Sequence, residues 1–207
     1  MNSAQNTGQY QSPVDIRRIA GSASLSVMFH YTPTPLHMLN TEHTVQVNPQ
    51  AGSYLEVEAQ RYDLKQFHFH TPSEHLVAGQ QYDMEAHLVH ESPRGELVVV
   101  GLLYQLGVEN HFLRTLWEHI PHEPGSECQY QEVVIDPGTM IPPAGKFYTY
   151  GGSLTTPPYT EGVLWFLHQE LQPVSQAQLD RFASLFGHNA RVVQPLHGRI
   201  VVESRLS

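Results

Sequence analysis

Residues 66–70 read Gln-Phe-His-Phe-His, and residues 84–90 read Met-Glu-Ala-His-Leu-Val-His. Side chains two apart in an extended strand share a face. Gln66, His68 and His70 therefore fall together, and Phe67 and Phe69 fall on the opposite face; Glu85, His87 and Val89 align in the same way. The stretch TPSEHLVAGQQYDM, from Thr71 to Met84, is long enough to bring the second strand back antiparallel beside the first. Facing Cβ atoms would then lie about 5 Å apart, and His68, His70 and His87 could converge. Three neutral imidazoles with a fourth position open are the donor set of a catalytic zinc. Gln66 and Glu85 are spaced to hold the second ring nitrogens of His68 and His87. Two other readings stand beside this one. His68 and His70 could be ordinary strand residues satisfied by hydrogen bonds, and His68-x-His70 with Glu74 matches the first half of a cupin site for iron or manganese. The second cupin half, a Pro-x-Gly turn leading to a His, is missing.

The elements that must carry these residues are short strands. Fifteen Gly and fifteen Pro are spread along 207 residues, which suits many turns and few long helices. Strand candidates are 44–47, 54–58, 66–70, 84–90, 97–105, 132–135, 147–150, 162–168 and 199–203, several with the alternation of half-buried antiparallel strands. Two helices are expected. One runs over 110–120, with Phe112, Leu113, Leu116, Trp117 and Ile120 on one face; the other runs over 175–186, with Leu179, Phe182, Leu185 and Phe186, and stops at Gly187. No repeat or linker is visible. The expected architecture is mainly β, of α+β type: a single domain over 1–207, with 1–10 as a short arm, one large and mostly antiparallel twisted sheet, and short peripheral helices.

Composition narrows the partners. Hydrophobic residues at 40% suffice for a sizeable core, and 11 Lys and Arg against 20 Asp and Glu give a net charge of -9. Such a surface repels nucleic acid and anionic membranes, so neither is expected as a partner. Cys128 is the one cysteine, which excludes an intrachain disulfide and a thiolate zinc cluster. No stretch approaches eighteen apolar residues and no export signal is evident, so the compartment expected from the chain as written is the cytoplasm, with periplasm or secretion as the alternative if a signal has been removed.

Five blocks together resemble a known family: QSPVDI (11–16), QFHFHTPSEH (66–75), MEAHLVH (84–90), GSLTTPP (152–158) and QPLHGR (194–199). In this order and spacing they are similar to the α-class carbonic anhydrases of bacterial type. The resemblance covers nearly the whole chain from Gln11 onward. It implies zinc at the bottom of a conical cleft and reversible hydration of carbon dioxide to bicarbonate and a proton by a zinc-bound hydroxide, with incidental esterase activity open to the same nucleophile. It assigns His68, His70 and His87 as zinc ligands, and Gln66, Glu85 and the Asn189 carbonyl as their outer partners. Thr155 would accept the hydroxide's proton and Glu74 would fix its direction. Val89, Val99, Leu154, Val163 and Trp165 would form an apolar wall for carbon dioxide, with Thr156 beside the bicarbonate position. His43 matches the family's proton shuttle, a role for which histidine is suited near neutral pH. Sulfonamide or anion inhibitors are implied as ligands, and bacterial relatives leave a homodimer open.

The chain also departs from that pattern. Thr41 and Gln46 stand where the family has a pair of cleft asparagines. The Trp-containing N-terminal arm with its cleft tyrosine is missing, since Tyr10 is out of register. Gln5 and Tyr159 occupy the places of a disulfide found in exported bacterial relatives, whose loss removes a few kcal/mol unless packing or dimerisation compensates. The remaining histidines, such as His111, His119, His122 and His188, are expected at the surface.

Overall fold

The computed structural model describes residues 8–205, so Gln5 and most of the N-terminal arm lie outside the described residues. In chain order the strands are β1 (Asp15–Ile16), β2 (Ser22–Ala23), β3 (Val27–His30), β4 (Thr34–Asn40), β5 (Val45–Val47), β6 (Tyr54–Val57), β7 (Gln60–His70), β8 (Leu76–Val77), β9 (Gln80–Gln81), β10 (Met84–Glu91) and β11 (Leu97–Leu106). Helix α1 (His111–Trp117) follows, then β12 (Glu127–Ile135), a 3-10 turn (Pro137–Met140), β13 (Lys146–Ser153), β14 (Glu161–His168), β15 (Gln172–Val174), α2 (Gln176–Phe186) and β16 (Val202–Arg205).

Thirteen of the described strands form one sheet, whose main path runs β12-β4-β5-β7-β10-β11-β14-β13-β16-β2; β1, β8 and β9 form a small second sheet. Most pairings are antiparallel as expected, but β11 runs parallel to both β14 and β15. The sheet is therefore mixed at its centre.

Alternation along the central strands sorts the core into two layers. Phe67, Phe69, Ala86, Leu88, Val98, Val100, Leu102 and Phe166 join a large cluster with the helices. Val89, Val99, Leu103, Val163, Trp165 and Leu167 join a smaller cluster. Aromatic contacts hold the helices against the back of the histidine strand: Phe69 meets Trp117 edge-on at 5.0 Å between ring centroids, and Phe67 meets Phe112 at 6.0 Å. Burying each such ring contributes about 2–3 kcal/mol, which fixes which face of β7 points away from the helices.

Helix α2 begins at Ser175, which exchanges capping hydrogen bonds with Gln178, and it ends where Gly187 takes φ +62°. That is the start and stop expected from the sequence. Helix α1 is capped by Asn110 but ends at Trp117, so Ile120 reaches the core from beyond the helix. The sequence reading overlooked β3 and β4. Pro33 and Pro35 argue against a strand there, but the register of β4 with β12 shifts between Tyr130 and Val134, opposite Leu36 and Pro35, and a proline is tolerated at such an irregularity.

Candidate metal centre and cleft

Strands β7 and β10 pair antiparallel with His87 opposite His68 and Glu85 opposite His70. The adjacency expected from the alternation pattern is therefore present. His68, His70 and His87 are all buried, each offering a ring nitrogen within 4.8 Å of the other two. Ring centroids lie 5.0 Å apart for His68 and His70, 5.3 Å for His68 and His87, and 4.6 Å for His70 and His87.

Each ring has one nitrogen tied back. His68 Nδ1 lies 2.8 Å from Gln66 Oε1, His70 Nδ1 lies 3.4 Å from the Asn189 carbonyl oxygen, and His87 Nε2 lies 2.8 Å from Glu85 Oε1. Gln66, the Asn189 carbonyl and Glu85 are thus the groups that meet the ring nitrogens. Nε2 of His68 and Nε2 of His70 are buried without any hydrogen-bond partner. A buried polar nitrogen left unpaired costs about 1–3 kcal/mol, so two of them converging with a third ring need a common acceptor of their lone pairs. Burial pushes His68 well below the usual histidine range and His70 down to about 3, so both rings are neutral. Neutral nitrogens with free lone pairs fit a divalent metal such as zinc.

Around this trio lies a carboxylate network. Burial alone would raise the pKa of Glu85, yet its contacts with His75 and His87 hold it well below the usual carboxylate range. Glu85 Oε2 also accepts hydrogen bonds from the backbone N–H groups of Glu74 and His75, at 2.9 and 2.8 Å. Burial and then the charge of Glu85 push Glu74 up to about 8, against the opposing pull of Thr155 and the Arg191 N–H. That N–H donates to Glu74 Oε1 at 2.7 Å. Glu74 Oε2 is buried without a hydrogen-bond partner, and the Thr155 side chain lies close enough to pull the Glu74 pKa downward.

A cleft of about 740 Å³ opens onto the trio through His68. His68, Thr155 and Gln66 line it, together with Thr156, Thr41, Gln46 and the exposed His43. Val89, Val99, Val163 and Trp165 pack into one apolar cluster with Leu154 against it, and Trp165 stands 4.9 Å from His87 between ring centroids. These five are outside the cleft's lining residues.

Several site residues escaped the sequence reading. His75 is fully buried, with Nδ1 at 2.7 Å from Glu85 Oε1 and Nε2 at 2.7 Å from the Tyr150 hydroxyl, which in turn contacts Ser12 Oγ at 2.8 Å. It follows Glu74 in a turn rather than a strand, so alternation gave no signal for it. Arg191 and Tyr159 also line the cleft, with the guanidinium 3.8 Å over the tyrosine ring. The expectation that the other histidines are surface residues holds for His111, His122 and His188, while His119 is half-buried. It fails for His75, His90 and His168, which are buried because their strands or turns lie inside the sheet layers.

A family model for eukaryotic-type carbonic anhydrases matches residues 1–205. A carbonic anhydrase of Nostoc sp. is 42% identical over 202 residues, covering 95% of this chain and 76% of that protein. One from Neisseria gonorrhoeae is 39% identical over 200 residues, covering 96% and 79%. Among solved structures, an α-carbonic anhydrase from Photobacterium profundum superposes with a TM-score of 0.90 at 38% identity, covering 95% of this chain and 90% of the other. The α-carbonic anhydrase of Thermovibrio ammonificans, solved with the inhibitor sulfanilamide, gives 0.88 at 40% identity, covering 95% and 88%.

Proposed function

The chain belongs to the eukaryotic-type carbonic anhydrase family, whose members are lyases acting on carbon dioxide, and from that premise we propose that it hydrates carbon dioxide reversibly at a zinc ion held by His68, His70 and His87. One observation carries the reading: two buried, unpartnered Nε2 atoms converge with His87 beside the cleft that His68 lines. Zinc bound there would supply a hydroxide nucleophile at neutral pH by lowering the pKa of its water to about 7, a value known from carbonic anhydrase itself.

The chain's own residues do the rest. Gln66, the Asn189 carbonyl and Glu85 accept from the second ring nitrogens, fixing each ring's orientation and keeping the free nitrogen turned inward. Thr155 stands beside Glu74, whose Oε2 is free to accept its hydroxyl hydrogen. A threonine that donates to Glu74 Oε2, an acceptor in either protonation state of the carboxyl with the acid proton on Oε1, has only acceptor lone pairs left for the nucleophile, which orients the attacking oxygen. The apolar cluster of Val89, Val99, Leu154, Val163 and Trp165 keeps water from one side of the site and suits a small apolar substrate. Thr156 offers a hydroxyl to bicarbonate from the cleft wall. His43, exposed on the same wall, carries the released proton to solvent.

Sulfonamides and small anions are the expected inhibitors, entering by the cleft. The same nucleophile would hydrolyse activated esters. Zinc content separates the metal assignment from the chemistry: the wild type should bind one zinc per chain, and His87→Ala should lose most of that affinity. Stoichiometric zinc in His87→Ala would refute the ligand assignment. His43→Ala should keep its zinc and lose turnover that added imidazole buffer restores; turnover that imidazole leaves low would refute the shuttle role.

A further inference from the structure

We propose that His188 is a second proton carrier for the cleft, working in parallel with His43. The inference rests on the reading above, in which turnover releases a proton at the cleft's base. His188 is exposed and lines the cleft together with His43. It also lines a separate depression of about 370 Å³ shared with Asp83 and Asp180. Among the cleft's lining residues it alone belongs to both concavities. Among the described residues neither the His43 ring nor the His188 ring has a hydrogen-bond partner, so the lone pair of each is open to cleft water.

One residue anchors both carriers to the metal centre. Asn189 Nδ2 donates to the His43 carbonyl at 2.8 Å and to the Phe69 carbonyl at 3.0 Å. Its Oδ1 accepts from the Thr71 N–H at 2.8 Å, and its own carbonyl faces His70 Nδ1 at 3.4 Å. His188 is thus the residue beside a pinned asparagine and just past the end of α2 at Gly187, a fixed backbone carrying an unpartnered ring.

The surroundings give the transfer a direction. No carboxylate lines the cleft among the described residues, and Arg191 is its one permanently charged side chain. On the other side of His188, Asp83 and Asp180 line the depression. A ring nitrogen of His188 would take a proton from cleft water, become imidazolium, and release that same proton to solvent beside the two carboxylates, returning to the neutral ring with nothing else exchanged. Histidine is the side chain whose ordinary charge change falls between about pH 5 and 8.

The test compares zinc-loaded wild type, His43→Ala, His188→Ala and the double variant in low buffer by stopped-flow hydration. Proton release follows bicarbonate formation, so loss of a carrier should lower kcat and leave kcat/KM in place. Each single variant should lose a few-fold in kcat, and the double variant about 10²-fold, the lower end of what proton transfer contributes; imidazole should restore all three. A second readout is independent of the metal: in the metal-free protein, NMR should show the ring N–H of exposed His188 exchanging freely with solvent. Equal kcat for His43→Ala and the double variant, a loss that imidazole does not restore, or a His188 ring N–H protected from exchange would each overturn the proposal. A zinc-loaded wild type without turnover would overturn the underlying reading, and this inference with it.

Discussion

At the scale of single residues, the site is built by giving each histidine one tied nitrogen and one free nitrogen. His68, His70 and His87 were legible from strand alternation, because Gln66 and Glu85 lie two residues before a histidine on the same face. His75 was not, since its role depends on a turn that returns it to Glu85 and Tyr150. Replacing it by Leu would leave a buried Glu85 oxygen and a Tyr150 hydroxyl without their partner. His75→Leu is therefore expected to cost about 3 kcal/mol, since each buried polar atom left unpaired costs about 1–3 kcal/mol, read by urea unfolding of the metal-free protein. His90 gives a pH-dependent counterpart. Burial pushes it down to about 3, although backbone groups of Val98 and Leu88 pull upward, and Nε2 sits 2.6 Å from the Tyr31 hydroxyl. As pH falls below about 6.5 the unfolded chain gains a proton here that the folded chain refuses until about 3, so stability drops through that window by about 1.4 kcal/mol per pH unit. His90→Phe should flatten the slope by one proton; an unchanged slope would contradict the account.

At the scale of elements, the long central strands carry the function and were the easiest to read. Strands β7, β10, β11 and β14 appear in the sequence as alternating or continuous apolar runs, because both faces of each are covered. Short or proline-bearing strands such as β4 were missed, since their existence depends on partners far away in sequence. The parallel pairing of β11 with β14 was hidden for the same reason, as nothing local records direction. Gly101 on β11 faces His87 on β10, and a Cβ there would come within 2.7 Å of Leu167 Cδ1 and 3.3 Å of Glu85 Oε1. Leu167 is fully buried and has little room to move. Gly101→Ala is expected to destabilise the fold by about 1–3 kcal/mol and to weaken zinc binding by displacing the carboxylate that orients His87. Unfolding curves and zinc titration of the same variant would show both effects, and unaltered zinc affinity would separate Gly101 from the metal centre.

At the scale of the whole molecule, one mixed sheet places a layer of apolar side chains and helices behind the histidine strands, and a cleft opens beside His68 on its strand. That plan was legible mainly through the five sequence blocks taken together, since no one of them specifies a cleft. Because the three histidines come from two strands held at the sheet's centre, zinc bound by them would stabilise the folded chain alone. Zinc at about a thousand times its dissociation constant should then add about 4 kcal/mol of stability, seen as a higher melting temperature that a chelator reverses. The most direct test of the central claim is stopped-flow hydration of carbon dioxide by one preparation, measured zinc-loaded, after chelation, and after zinc is restored. The account predicts rapid turnover that chelation abolishes and zinc returns; a sample holding one zinc per chain that hydrates carbon dioxide no faster than buffer would contradict it.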